Sequence, residues 1–296
     1  MDQFEAELHA AALRGSNEFR VLRKLKPRSY CERPLGPWAR TGLIVDVETT
    51  GLEDWAQVIE IGLVKFAYSP AGTVIGSLGQ RHAYNQPDMP IPANITRLTG
   101  ISDDIVRGHR LDVEALQAFA EGVDIVIAHN ASFDRRYIER LLPVFENLPW
   151  ACSQTQIPWS DEGVESAKLD YIANRLGFFY SGHRSIDDAH ALLEVVDQPL
   201  PRSGRIVLSV LLEASSRPTA RVYALGLPFG LRDEVRARGY RWSTGDDGQP
   251  RAWHRDVQVD AVDAELTFLD SLDKGEVLEP LVVELDAYSR YSSRQR

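Results

Sequence analysis

Residues 46–51 have the sequence DVETTG and directly follow the apolar run LIV at residues 43–45, which predicts a buried β-strand. Successive side chains of a strand point to opposite faces, so Asp46 and Glu48 lie on the same face. Two carboxylates side by side on a buried strand repel each other and lose hydration unless a cation neutralises them. Mg²⁺ prefers carboxylate oxygens and usually brings substrate phosphates with it. The stretch therefore predicts a metal-dependent phosphoryl-transfer site. The simpler alternative is a strand end at which both acids contact only water.

Composition narrows the class of protein. The chain has 296 residues, 44% of them hydrophobic, and a formal net charge of −10. This charge excludes a globally basic nucleic-acid coat but not a nucleic-acid enzyme, because metal-binding carboxylates themselves add negative charge. The only cysteines, Cys31 and Cys152, form no CxxC pair, as is typical of a reducing compartment. The first seven residues carry three acids and no basic residue, unlike a signal peptide, and no apolar run approaches the roughly 18 residues of a membrane span. We therefore expect a cytoplasmic protein with no membrane partner.

Hydrophobic periodicity, with Gly and Pro between the periodic segments, predicts an alternation of strands and helices. The expected strands are 43–48, 58–66, 72–83, 124–129 and 150–155. The expected helices are 4–14, 90–98, 113–120, one running from Phe133 to Phe145, 169–176 and 186–196. The first three strands follow one another as an antiparallel meander, and helices and strands alternate afterwards. This order predicts an α/β fold with a mixed sheet flanked by helices.

The same patterns divide the chain into four segments. They are an N-terminal helix with a basic lead-in (1–40), a main domain (41–198), a linker (199–204) and a small α+β domain (205–296). The arginines and lysines of the lead-in favour a solvated extension, and the alternative is an arm that follows phosphates.

The small domain is predicted to begin with a strand at 206–212, followed by a strand at 222–225, a helix at 230–239, a hairpin turn at 245–248 and a last helix at 260–272. It combines basic residues with aromatic ones: Arg232, Arg236, Arg238, Arg241, Arg251, Arg255, Tyr240, Trp242, Trp253 and His254. Such a mixture suits contacts to a nucleic-acid backbone with base stacking. The alternative of equal weight is that the tryptophans form the core of this domain and the arginines are solvated; the sequence leaves both interpretations open.

Two further motifs accompany the first. HNASFD at residues 129–134 places Asp134 at the start of a helix just after a buried strand, and HRSIDD at 183–188 places His183 in a loop before Asp188. Taken singly, Asp134 could simply favour a helix N-terminus, Ser185 and Asp188 could form a capping box, and His183 could be an exposed loop residue. The significance of the motifs lies in their combination and order.

In that order, the three motifs resemble the DEDDh branch of the DnaQ-like 3′→5′ exonucleases, the family of the proofreading subunit of bacterial DNA polymerase III and of RNase T. The family pattern is DxE, then an Asp after a strand, then H-x4-D. It falls here on Asp46, Glu48, Asp134, His183 and Asp188. The resemblance covers roughly residues 41–198 and implies the ribonuclease H-like fold, in agreement with the predicted order of strands and helices.

The resemblance also implies the site. Two Mg²⁺ or Mn²⁺ ions would be bound by Asp46, Glu48 and Asp188, with Asp134 binding directly or through water, and would promote an in-line displacement at phosphorus. His183 would accept the proton of the attacking water, since histidine can do so near neutral pH. The rival ligand Asp187 is rejected because the H-x4-D spacing selects its neighbour.

Residues that contact the substrate are implied as well. They are Thr49 and Thr50 in the pocket for the terminal nucleotide, Leu52 as a wedge against its base, and Asn130. Each of these could instead be a turn or packing residue.

We therefore expect a 3′→5′ exonuclease that releases nucleoside 5′-monophosphates from the 3′ ends of single-stranded DNA or RNA, with DNA favoured. DNA polymerase and the DNA repair machinery are candidate partners in replication or repair. The small C-terminal domain takes the place of the short polymerase-tethering tail of a proofreading subunit, so the proofreading role does not follow. The alternative is a non-catalytic nucleic-acid-binding or scaffold module with the same fold. Five intact motif residues argue against it.

Overall fold

The computed structural model describes residues 2–31, 35–245, 249–272 and 278–294. Its strands are β1 (Arg23–Lys24), β2 (Arg40–Thr49), β3 (Val58–Tyr68), β4 (Val74–Tyr84), β5 (Ile125–Ala128), β6 (Trp150–Cys152), β7 (Phe178–Phe179), β8 (Thr219–Leu225), β9 (Arg241–Trp242), β10 (Trp253–Gln258) and β11 (Glu279–Leu285). Its α-helices are α1 (Gln3–Arg14), α2 (Ala93–Thr99), α3 (Asp103–Val106), α4 (Val113–Ala120), α5 (Ala131–Leu141), α6 (Leu169–Arg175), α7 (Ser185–Val196), α8 (Val207–Ser216), α9 (Arg232–Ala237) and α10 (Val262–Leu272).

The main sheet has five strands in the order β4-β3-β2-β5-β6. Strands β2, β3 and β4 are antiparallel, whereas β5 pairs parallel with β2 and β6 pairs parallel with β5. The expected meander and the later alternation of helix and strand are thus both present. The predicted α/β class, with a mixed sheet flanked by helices and a small C-terminal α+β unit, is confirmed.

The two faces of this sheet carry separate cores. Leu43, Val45 and Val47 of β2 belong to the core that α4 and α5 cover. Ile44, on the opposite face, belongs to the core that α6, α7 and α8 cover. Because side chains alternate along a strand, residues 46 and 48 continue the Ile44 face toward α7.

The strand predicted at 206–212 is wrong, because residues 207–212 lie in α8. The apolar run is compatible with either a strand or a helix, because periodicity alone does not separate a short buried strand from a buried helix. In the folded chain, Val207, Leu208 and Leu211 are buried in the core beneath α7, and that helical packing decides the outcome. The strands β1, β7 and β11 were not predicted.

The lead-in is held against the main domain rather than extended into solvent. Its helix α1 is confirmed, and β1 pairs parallel with β7. Arg23 forms an ion pair with Glu7, and Arg28 forms ion pairs with Glu194 and Asp197. These two guanidinium groups are therefore engaged within the chain, whereas Lys24 and Lys26 are exposed, and the role of the lead-in stays a prediction. Arg33 lies outside the described residues.

The small domain has a four-stranded sheet in the order β11-β8-β10-β9 with α9 and α10 on one face. Strands β9 and β10 pair antiparallel as expected of a hairpin, and residues 246–248 of its turn lie outside the described residues. Tyr240 is 3% exposed and Trp253 packs on the helical core. Arg238 and Arg255 both pair with Glu265. The basic and aromatic residues of this domain are thus divided between its core and its surface.

The four predicted segment boundaries stay predictions. Within the described ranges, no helix is both long enough and apolar enough to cross a membrane.

Candidate active site

Three carboxylates meet where β2 faces the first turn of α7. Asp46 and Glu48 extend from the strand and Asp188 from the helix, and one oxygen of each lies within 4.8 Å of the others. Gly62, the cross-strand partner of Asp46, allows this approach. A Cβ atom at Gly62 would lie 2.4 Å from the backbone carbon of Ser185 at the start of α7. The absence of a side chain therefore lets the helix lie directly on the sheet.

Asp134 stands beside these three carboxylates. It lies in the first turn of α5, is 2% exposed, and its Oδ1 accepts a hydrogen bond of 3.1 Å from the backbone N–H of Val47. We call Asp46, Glu48, Asp134 and Asp188 the carboxylate cluster. The structure therefore brings all four predicted acids to one end of β2, with three of them in direct proximity.

Burial and mutual repulsion both act against ionisation of the cluster. Burial, and then the negative charges of Asp134, Asp188 and Glu48, raise the pKa of Asp46 well above its usual range. The same causes raise the pKa of Glu48 to about 8, with Asp188 as its strongest negative neighbour. Burial also raises the pKa of Asp134 and of Asp188. An excess of negative charge at one partly buried place is the condition that a bound cation relieves.

The described part of the chain supplies little positive charge to the cluster. The Arg184 guanidinium lowers the pKa of Glu48, but its ion pair is with Glu60. No ion pair between Lys or Arg and a cluster acid occurs among the described residues. Oxygen donors, negative charge and proximity together fit a hard divalent cation such as Mg²⁺ or Mn²⁺.

His183 precedes α7 in an exposed loop, with a backbone φ of 65°. Its imidazole helps to lower the pKa of Asp188, against the stronger raising effect of burial. Asp188 is fixed by two hydrogen bonds, 2.7 Å from the Tyr180 hydroxyl and 3.0 Å from the backbone N–H of Arg184. The predicted proton acceptor therefore lies beside the cluster and open to solvent. Tyr180 was not identified from the sequence.

Glu60 is the second residue that sequence reasoning missed. It is the cross-strand partner of Glu48 and is fully buried. It accepts hydrogen bonds from the Ser185 N–H at 2.8 Å, from Arg184 Nε and Nη2 at 3.0 and 2.8 Å, and it bonds His82 Nε2 at 2.7 Å. Burial alone would raise the pKa of Glu60, but these hydrogen bonds outweigh it and lower the pKa to about 2. Glu60 therefore anchors the residues that directly follow His183.

A sequence signal for Glu60 existed. It is the one acid in the apolar run 58–64, and the predicted hairpin pairs this run with the DVETTG strand. A buried acid that is retained in such a run needs a partner.

The predicted substrate-binding residues lie around the end of β2. Thr49 and Thr50 are buried, with Thr49 Oγ1 donating to the Gly51 carbonyl at 2.5 Å and Thr50 Oγ1 accepting from the Gln57 N–H at 3.0 Å. Both threonines thus shape the turn. Leu52 lies at the edge of this turn and is 74% exposed.

Asn130 is exposed, has a backbone φ of 74° and begins α5. Asp187 lies outside the group of three neighbouring carboxylates, next to Asp188.

Comparison with known proteins gives the class of molecule that this sheet and this cluster define. Residues 43–196 match the family model RNase_T, described as Exonuclease, which is just over half of the chain. The chain belongs to this exonuclease family. The prediction of a DnaQ-like exonuclease is confirmed, and the predicted enzyme class is that of the family.

Curated relatives include DNA polymerases. The chain is 32% identical to DNA polymerase III PolC-type of Clostridium perfringens over 167 residues, which is 52% of this chain and 11% of the polymerase. It is 26% identical to the PolC-type polymerase of Thermotoga maritima over 201 residues, which is 64% of this chain and 14% of that protein. The chain therefore spans only about a tenth of the length of these relatives.

Solved structures of similar fold include two nucleases with DNA. Exonuclease X in complex with 5′-overhanging duplex DNA has a TM-score of 0.40 and 21% identity, over 57% of this chain and 99% of that one. The zinc-bound complex of E. coli ExoI with single-stranded DNA has a TM-score of 0.48 and 15% identity, over 85% of this chain and 66% of that one.

Proposed function

We propose that this protein is a Mg²⁺- or Mn²⁺-dependent 3′→5′ exonuclease that releases nucleoside 5′-monophosphates from nucleic-acid 3′ ends. The observation that carries the proposal is the convergence of Asp46, Glu48 and Asp188 within 4.8 Å. The cluster lies in a chain of the exonuclease family and has no ion pair with Lys or Arg among the described residues. The match to DNA polymerases favours DNA over RNA as the substrate.

Two metal ions would be held by Asp46, Glu48 and Asp188, with Asp134 as a direct or water-mediated ligand. When bound, such ions stabilise the negative charge that develops on the attacking and leaving oxygens at phosphorus. The protein's own groups place and move the proton. A neutral imidazole nitrogen of His183 accepts the proton of the attacking water. The Tyr180 hydroxyl and the backbone N–H of Arg184 keep the Asp188 carboxylate in a fixed orientation through their hydrogen bonds.

The terminal nucleotide is proposed to bind at the turn after β2. Thr49 and Thr50 fix the shape of this turn through their hydroxyl groups. The exposed side chain of Leu52 is free to contact the terminal base, and Asn130 borders the same end of the sheet. A role in DNA replication or repair, with DNA polymerase or repair proteins as partners, and a cytoplasmic location are part of the proposal.

The test is a gel assay on 5′-labelled single-stranded DNA and RNA oligomers of matched sequence, with Mg²⁺, Mn²⁺ or a chelator. We expect a ladder that shortens from the 3′ end, requires metal and forms faster on DNA. The same oligomers with a phosphorothioate at the last linkage serve as a control for end-directed cleavage. Binding without cleavage under all conditions would contradict the proposal and favour the non-catalytic scaffold. Faster cleavage of RNA would overturn the substrate preference alone.

A further inference from the structure

A groove of about 1320 Å³ lies between the active-site end of the main domain and the sheet of the small domain. Residues 52–55, which continue the turn after β2, line one side together with Ser132 and Arg136 of α5. Residues of β8, β9 and β10 line the other side. The groove therefore begins next to Leu52 and the start of α5, where the terminal nucleotide is proposed to bind.

The register of the small sheet decides which side chains face this groove. Ala220, Val222 and Ala224 of β8 are buried beneath α9 and α10. The alternate positions point the other way, and Tyr223 pairs with His254, which pairs in turn with Arg241. Directly paired residues of antiparallel strands share a face. The face away from the helices is therefore polar and basic, and it is the face that lines the groove.

The groove is positively charged within an acidic protein. It is lined by five arginines and three acids, whereas the whole chain carries a net charge of −10. Arg136 and Arg221 form ion pairs with Asp54 and Asp256. Arg241 is exposed, and among the described residues it has no ion pair or side-chain hydrogen bond. A guanidinium group that is exposed and unpaired in a positive groove suits a phosphate ligand.

Besides its arginines, the groove has two exposed aromatic side chains. Trp55 on the main-domain side is 75% exposed and lines the groove. Trp242 pairs with Trp253 and so lies on the opposite face from Arg241, but at the edge strand β9 it is 47% exposed and also borders the groove. Exposed indole rings near the unpaired Arg241 suit unpaired bases, which can stack on aromatic faces, better than a duplex whose bases are already stacked.

We propose that this groove binds the single-stranded part of the substrate on the 5′ side of its terminal nucleotide. Phosphates would contact Arg241, and bases would stack on Trp55 and Trp242. The proposal rests on the proposed exonuclease function, since it takes the position of the 3′ end from the carboxylate cluster. A duplex, or a protein partner in the groove, would give a different result in the test below.

The test uses Arg241→Glu and Trp242→Ala in the full-length protein, with Arg175→Glu as the matched control. Arg175 is an exposed arginine at the end of α6 that does not line the groove. Affinity is measured by fluorescence anisotropy for a dT dinucleotide and for a dT oligomer of ~20 nucleotides, which exceeds the roughly 4–16 nucleotides of a typical single-strand site.

We expect each groove variant to bind the long oligomer about tenfold more weakly, while the dinucleotide is affected little. For Arg241→Glu, the dependence of log Kd on log salt concentration should become shallower by about one phosphate contact. Arg175→Glu should bind both ligands as the wild type does. Equal losses for both lengths, no loss for either, or tighter binding of a duplex of matched length would overturn the proposal.

A separate measurement distinguishes this proposal from the function on which it rests. Wild-type hydrolysis of thymidine 5′-(4-nitrophenyl phosphate), which has no polynucleotide to occupy the groove, reports on the chemistry alone. Failure of the wild type on this ester and on oligomers would overturn the proposed function. Activity on the ester without length-dependent effects of the groove variants would overturn only the groove.

Discussion

Asp134 and Arg135 are consecutive residues of α5, with 2% and 0% of their surfaces exposed, yet they belong to opposite kinds of buried charge. Asp134 joins the carboxylate cluster, in which burial and neighbouring acids raise the pKa of its members. Arg135 lies in a buried hydrogen-bond network in which a carboxylate and backbone carbonyls compensate its charge. Its Nε donates to Glu139 at 2.7 Å, and its Nη1 and Nη2 donate to the carbonyls of Arg290 and Tyr288 at 2.7 and 2.6 Å.

The carbonyl partners of Arg135 lie in residues 286–294, a segment that we call the strap. Glu139 also accepts from Ser292 Oγ at 2.7 Å and from Arg294 Nη2 at 3.0 Å. Burial alone would raise the pKa of Glu139, but its hydrogen bonds and ion pairs to Arg294, Arg135 and Ser292 lower it. The strap thus fastens the end of the small domain to α5 through a buried ion network.

The difference teaches how to interpret buried charge in this molecule. Where the chain neutralises a buried charge with its own side chains and carbonyls, as at Arg135, the charge holds the structure together. Where it leaves buried charge of one sign concentrated, as at the carboxylate cluster, the cost is one that folding alone does not explain. The second arrangement is expected to sacrifice stability for function, and the first is not.

The largest expected effect comes from removing a cluster acid. Asp188→Ala should reduce exonuclease activity by more than the roughly 10–100-fold that is typical when a supporting group of a metal ligand is lost. Without metal, the Asp188→Ala variant should be at least as stable as the wild type, because the substitution relieves repulsion among carboxylates. Rates on a 5′-labelled oligomer and thermal unfolding in chelator measure both effects. Asp187→Ala, one residue away and outside the group of three, should retain activity. Substantial activity in Asp188→Ala would refute the site.

The opposite outcome is expected at the strap. Arg135→Met should lower the free energy of unfolding by about 3–5 kcal/mol, because it leaves Glu139 and two carbonyls with fewer partners in a buried place. Denaturant unfolding measures this effect. The matched control is Arg40→Met, which breaks an exposed ion pair with Asp124 and should cost no more than about 1 kcal/mol. Equal effects of the two substitutions would show that the strap network is not a major source of stability.

Glu60 lies between the two kinds of site, since it is matched like Arg135 but borders the cluster. Glu60→Gln should lower kcat by about 10–100-fold, as is typical for groups that orient metal-site residues, because the loop of His183 loses its anchor. The expected change is in kcat more than in KM. Glu194→Gln, an acid of α7 that pairs with Arg28, serves as the control. A lower unfolding temperature with unchanged kcat would make Glu60 a purely stabilising residue.

The smallest effect concerns pH and metal. The unfolded chain releases the Glu48 proton near pH 4.3, whereas the folded chain retains it up to about pH 8. Below the lower of these two pH values, Glu48 is protonated in both states and does not destabilise the fold. As the pH rises from the lower value to the upper one, the folded state must keep a proton that the unfolded state releases, so the destabilising effect of Glu48 grows. In chelator, the stability advantage of Glu48→Gln over the wild type should therefore increase from pH 5 to pH 8.

Bound metal should reverse this trend in the wild type. At a concentration about ten times its Kd, metal should stabilise the wild type by about 1.4 kcal/mol. Thermal unfolding with Mn²⁺ and with chelator, across the same pH range, measures both. A constant difference between the variants at all pH values, with no stabilisation by metal, would contradict the account of the cluster as an unneutralised site.

Much of the site follows from local sequence, because its information is local. The two-residue period of a strand places Asp46 and Glu48 on one face whatever the rest of the chain does. The five-residue spacing from His183 to Asp188 places a loop residue before an acid in the first turn of a helix. The order of strands and helices in the main domain likewise follows from periodicity, and with it the mixed sheet.

Only the tertiary structure decided the properties that depend on pairing across the chain. Residues 207–212 are helical, in α8, because their apolar side chains are buried beneath α7, which outweighed their strand-like pattern. Glu60 acquired its role from a register that sets it opposite Glu48 and from residues over a hundred positions away.

The small domain shows the same limit. Sequence grouped its arginines and aromatics together, but strand register assigned Tyr240 and Trp253 to the core and Arg241 to the groove. The sequence determined which chemical groups are present and how neighbours alternate. Which buried charges would be neutralised depended on partners brought together by the fold, as with Arg135 and the strap.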